Sequence, residues 1–158
     1  MFNRPKAVPC LVIALLALTP VGCTDAFGPE QDALAAARAR WAQTDASNYV
    51  FEFQRSCFCA PDFVRPVRIE VLDGVVNSAV YADTEEPIPL PLTSVPTIDD
   101  LFDEIGDALE GTAFSVIADY DADMGYPTSV EIDYIENAID YEMAFTVSSF
   151  QVLDASAS

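Results

Sequence analysis

Cys57 and Cys59, separated only by Phe58, are the residues of this chain whose type and spacing bear most directly on chemistry. On an ideal strand, residues two apart share a face with α-carbons roughly 6.5–7 Å apart, the upper limit for a disulfide. A bond therefore requires a bend at Phe58, and Ala60-Pro61-Asp62 directly afterwards is turn-forming. Three chemistries fit the pair. A disulfide over so short a loop pins a hairpin tip and adds little stability through chain entropy. A strained, exposed bond exchanges with thiols, and Arg55 and Arg65 nearby favour a thiolate. Two thiolates also make half of a tetrahedral metal shell, which a partner chain would have to complete.

Asp119, Asp121 and Asp123, followed by Gly125, resemble the start of a calcium loop. The spacing departs from that loop at two points: the glycine comes one residue late, and the twelfth position is Val130 in place of a bidentate glutamate. A solvated hairpin turn shaped by Gly125-Tyr126-Pro127 accounts for the same residues, with weak calcium affinity as the minor alternative. The remaining carboxylates select no pair. A glycosidase needs one acid of raised pKa held near one that stays ionised, and a linear array of 26 acids identifies neither.

Composition removes several mechanisms. The chain has no histidine, so imidazole-dependent triads and the commonest metal ligand are missing. Its formal charge of −19 opposes binding to phosphate backbones, and nucleic acid is not an expected partner. No cofactor is expected, and the balance of features leans away from an enzyme.

Residues 1–22 place Arg4 and Lys6 before an apolar run over 10–18, then the small residues Val21-Gly22 before Cys23. This is the order of a secretory signal peptide, and the run falls short of the about 20 apolar residues that span a bilayer. A cysteine after a small residue resembles the lipobox of bacterial lipoproteins, with Pro20 where leucine is usual. The expectation is cleavage before Cys23, lipidation of that cysteine and a tether over 23–28, which places the body on the periplasmic or extracellular face of the envelope. The only lysine leaves with the signal, removing Schiff-base chemistry, and 26 acids then face five arginines, a charge of −21.

One domain over 29–153 is expected, with a tail over 154–158. Pro29 opens a helix over 30–42 with Leu34, Ala37, Arg38 and Trp41 at helical spacing. Tyr49, Phe51 and Phe53 then alternate with polar residues in a first strand. A second strand is read over 64–72, and Asp73-Gly74 turns it into a third over 75–81. A proline-rich linker over 83–96 follows. Thr97 caps a second helix with Asp100 in capping-box position, Gly111 ends it, and three alternating segments over 113–120, 128–135 and 141–152 complete the chain. The helix acids Asp99, Asp100, Asp103, Glu104, Asp107 and Glu110 read as a solvated face. The aromatic residues Tyr49, Phe51, Phe53, Phe114, Tyr120, Tyr134, Tyr141 and Phe145 read as core or one sheet face. The expected fold is α+β: two αβββ units, over 29–82 and 97–153, sharing an antiparallel sheet with two helices packed on one face.

Trp41, Tyr49-x-Phe51, Cys57-Phe58-Cys59, Asp73-Gly74-Val75, residues 97–102, Tyr120-Asp121, Gly125-Tyr126-Pro127 and Ile132-Asp133 together resemble a family of small bacterial lipoproteins that carries no assigned activity. The doubled αβββ order also looks like tandem PepSY or β-lactamase-inhibitor-like modules. That likeness implies binding or inhibition of another exported protein rather than catalysis. Residues 69–158 hold 20 acids and no basic residue, so a charged envelope protein or peptide partner should present a basic surface. The alternative function is thiol–disulfide exchange through Cys57 and Cys59.

Overall fold

The computed structural model describes residues 28–111, 113–136 and 142–153. The signal segment, Cys23, most of the tether, Tyr141 and the tail lie outside the described residues. Helix α1 spans Gly28–Thr44, and Leu34, Ala37 and Trp41 are its buried positions. Strand β1, Tyr49–Cys57, leads to a short helix α2, Pro61–Val64, then to β2, Val67–Leu72, and β3, Val75–Tyr81. A 3-10 turn at Leu92–Ser94 precedes α3, Ile98–Glu110, followed by β4, Ser115–Tyr120, β5, Pro127–Asp133, and β6, Glu142–Val152.

The six strands make one antiparallel sheet in the order β3-β2-β1-β6-β5-β4. Its middle pair is β1 and β6, which joins Tyr49 to Val152 and Cys57 to Met143 across most of the chain. The expectation of two αβββ units with two helices packed on one face is thereby overturned. A third helix, α2, stands between β1 and β2, so the first half runs αβαββ and the αβββ order is not spelled twice; what the two halves have in common is one six-stranded sheet. Pro61 sits in the first turn of α2, where its missing N–H costs nothing, whereas in a ladder it would leave a gap. The second strand therefore begins at Val67 and not at residue 64.

The core lies along alternate strand positions. Phe51, Ile69, Val71, Val130, Ile132 and Phe145 are buried there against the stripe Ile98, Leu101, Phe102 and Ile105 of α3. The proline-rich segment after β3 does more than connect. Val80 pairs with Pro87, Ile88 packs on the core and Val95 is buried, so this strap closes the core beside β3. The turn between β2 and β3 forms at Asp73 and Gly74, both at positive φ, as the dipeptide dictates. Its amides are received by the loop before β1: Asp73 N–H by the Asn48 side chain and Gly74 N–H by the Ser47 carbonyl, each at 2.8 Å.

Helix α3 is fixed at its N-terminus by three devices. Thr97 and Asp100 form the capping box. The Ile98 N–H donates to the Tyr49 hydroxyl at 3.2 Å, and Trp41 Nε1 donates to Asp99 at 3.2 Å. Burial pushes the Tyr49 phenol up to about 12, with Asp99 and Asp100 adding to the same direction.

Candidate functional site

Cys57 and Cys59 form a disulfide with α-carbons 5.2 Å apart. The separation is shorter than an ideal strand allows because the chain turns at Phe58: the Cys59 N–H donates to the Cys57 carbonyl at 2.8 Å. α2 follows at once, and the Gln54 side chain donates to the Val64 carbonyl at 3.1 Å, closing the tip back onto β1. The result is a covalently pinned loop that holds Phe58 out into solvent, 89% exposed. Sequence reading found the cysteines but assigned nothing to the phenylalanine between them.

The arginines that would favour a thiolate are committed elsewhere. Arg55 makes a two-pronged ion pair with Glu104 at 2.7 and 3.0 Å. Arg65 pairs with Asp83 at 2.7 Å and lies 3.6 Å from the centre of the Tyr81 ring. Neither supports thiolate formation at the tip.

Beside the tip, the solvent face of the sheet holds a shallow groove of about 540 Å³. Ser56, Ile117, Glu131 and Ala144 line it because they share one face across β1, β6, β5 and β4 in register, and Phe58 joins them from the turn beyond β1. Asp133 and Glu142 close one side, and among the described residues no cationic one lines it. Ile117 is 60% exposed and Phe114, just before β4, is 52% exposed. The groove therefore couples exposed apolar surface to carboxylates, an arrangement complementary to a cationic partner with apolar side chains.

Asp119, Asp121 and Asp123 are not gathered into a cation site. Asp121 accepts from the backbone of Asp123 and Met124, at 3.1 and 2.7 Å, so it serves the turn. Asp119 belongs to the sheet ladder of β4 opposite Ser129, and Asp123 is exposed. Among the described residues no cluster of three or more cysteine or acidic side chains is placed to hold a metal ion. The acids of α3 are not simply a solvated face. Asp99 accepts from Trp41, Asp100 completes the cap, Asp103 pairs with Arg38 and Glu104 with Arg55, leaving Asp107 and Glu110 exposed.

The Gly125-Tyr126-Pro127 motif has a packing role. Gly125, at φ +86°, lies against the backbone of α1, and the Tyr126 ring stacks on Phe150 with centroids 4.4 Å apart. Phe150 in turn stacks on Tyr49 and meets the edge of Trp41. Of the aromatic residues read as core, Tyr49, Phe51, Phe53 and Phe145 are buried, whereas Phe114 and Tyr134 are exposed. Phe150 was missed because its side chain reaches the core only through the bulge beside Ser149, at φ +53°.

Among the described residues, fold and site together define a six-stranded antiparallel sheet with three α-helices, a disulfide-pinned aromatic tip and an acidic, partly apolar groove. The family of unknown function DUF6174 matches residues 33–152, and the chain belongs to that family. Neither the curated proteins nor the solved structures contain a match. The match covers all six strands and most of α1.

Proposed function

We propose that this protein is a non-catalytic binding module of the bacterial envelope, exported by residues 1–22, anchored through lipid on Cys23, and engaging a basic envelope protein or peptide. The observation that carries the reading is the pinned tip. A disulfide loop holds Phe58 in solvent beside a groove lined by Ile117 and Glu131, an expensive exposure that recognition of a partner explains. The fixed loop lowers the ordering cost of binding. The export signal supports an oxidising compartment in which such a bond persists.

The test places a photo-crosslinking amino acid at Phe58 in the full-length chain in cells. The expected product is one defined adduct with a basic protein, lost in a Glu131→Lys background and absent when the probe is moved to Leu92. Adducts spread evenly over many proteins at both positions would refute it. Mass spectrometry of the mature N-terminus tests the anchor, and an unmodified Cys23 refutes lipidation.

A second reading, thiol–disulfide exchange, is favoured by one observation: Cys59 is exposed, so an attacking thiolate can reach it. A reduction potential below about −300 mV, the range of structural disulfides, would exclude it.

A further inference from the structure

The two edges of the sheet are treated differently. Beside β3 the chain folds back: Tyr81 N–H donates to the Glu86 carbonyl at 2.9 Å and Val80 bridges to Pro87, with Pro89 and Pro91 following. Proline and a covering strap are means by which proteins blunt an edge. At the other edge, β4 has β5 as its strand partner, and among the described residues no backbone group pairs with its free side. Its sequence, Ser-Val-Ile-Ala-Asp-Tyr, contains neither proline nor lysine. An edge strand turns the N–H and C=O groups of alternate residues outward, a ready template for another strand.

A second observation lies along the same edge. Between β4, the start of α1 and α3 runs a smaller groove of about 220 Å³. Ala33, Ile105, Leu109, Val116 and Tyr120 make it apolar, and among the described residues Glu30 is the only charged one lining it. An added strand would place alternate side chains toward this groove and toward Ile117, which also lines the groove on the solvent face.

We propose that the free edge of β4 receives an extended basic segment of a partner protein as a seventh antiparallel or parallel strand, with apolar side chains of that segment seated in the groove beside Ile105 and Leu109. The inference rests on the binding reading above and adds the place and mode of engagement. Charge selects the occupant. Asp119 on the strand, Glu30 at the groove and Asp121 and Asp123 at the turn leave the edge anionic with no cation among the groove residues. A second copy of this chain, carrying −19 overall, would set the same carboxylates against one another, whereas a lysine- or arginine-bearing strand is attracted.

The test uses the mature chain, residues 23–158, immobilised for selection from a random peptide library. Enriched peptides should alternate basic or polar residues with Val, Ile or Phe. Added to the isotope-labelled chain, such a peptide should protect backbone amides within Ser115–Tyr120 from exchange and shift the methyl resonances of Ile105 and Leu109. Ile117→Lys, at an exposed position, should weaken binding about tenfold or more while leaving the amide spectrum folded, and Val75→Lys on the opposite edge should leave binding unchanged. Shifts confined to the surroundings of Phe58 and Ala144 overturn the edge and leave the binding reading standing. Failure of any peptide to enrich or shift resonances counts against both. If deleting residues 24–27 exposes amides of β4 that were protected in the free chain, the edge is held by this protein's own leader and the proposal falls.

Discussion

Gly125 faces the backbone of Ala37 so closely that a β-carbon there would collide with the Ala37 carbonyl oxygen and sit 2.9 Å from the Arg40 β-carbon. The β4–β5 turn is thereby seated on α1, and Tyr126, next in sequence, reaches the aromatic junction of Phe150, Tyr49 and Trp41. Two requirements meet at one residue: a positive φ of +86° and the absence of a side chain.

Gly125→Ala should therefore lower stability by about 2–4 kcal/mol, combining strain at positive φ with a contact that only helix displacement relieves. Thermal unfolding followed by circular dichroism measures it. Gly28→Ala, where an added β-carbon meets nothing within 4 Å, is the matched control and should leave the midpoint unchanged.

Stability should fall at high pH because of Tyr49 and Tyr120, both pushed from 10.0 up to about 12, chiefly by burial. The fold favours the neutral phenol. Its contribution is complete below pH 10 and is lost as pH rises from 10 through 12. At about 1.4 kcal/mol per unit, the buried Tyr49 phenol accounts for about 2–3 kcal/mol of the total decline, and the less deeply buried Tyr120 for less. Urea unfolding at a series of alkaline pH values should show the decline, and Tyr49→Phe should reduce it. At neutral pH the same variant should cost about 1 kcal/mol through the lost hydrogen bond to Ile98.

Arg55 and Glu104 link β1 to α3 by a two-pronged pair whose side chains are 24% and 25% exposed. A double-mutant cycle with alanine at both positions should give a coupling of about 1–2 kcal/mol. The more exposed pair Arg68–Glu85, at 41% and 73%, should give a clearly smaller coupling, because water and salt screen it. Equal couplings would show that burial and geometry do not set the difference.

Replacing Cys57 and Cys59 together by alanine should cost little, roughly 1.5 kcal/mol on the chain-entropy estimate for so short a loop. Binding should suffer more than folding, because the tip that presents Phe58 loses its fixed shape. Denaturant midpoints and the Phe58 crosslinking yield, measured on the same variant, separate the two effects.

Local features were legible in the sequence because a few adjacent residues determine them. Asp73-Gly74 enforces its turn through positive φ, Thr97 and Asp100 cap α3, and the Cys57–Cys59 spacing demands the bend found at Phe58. The alternation of Tyr49, Phe51 and Phe53 likewise marks which side of β1 is buried. The pairing of β1 with β6, which sets the strand order of the shared sheet, was not legible, nor was the helix α2 between β1 and β2. A ladder between residues nearly a hundred positions apart is chosen by the burial of both strands at once, and no local periodicity encodes that choice. The partners of Asp99, Asp103 and Glu104 depend in the same way on where α1 and β1 come to rest against α3. Cys57, Phe58 and Cys59 were visible as letters. The groove beside them, with Ile117 and Glu131 brought in from β4 and β5, exists only because the sheet sets those strands next to β6 and β1.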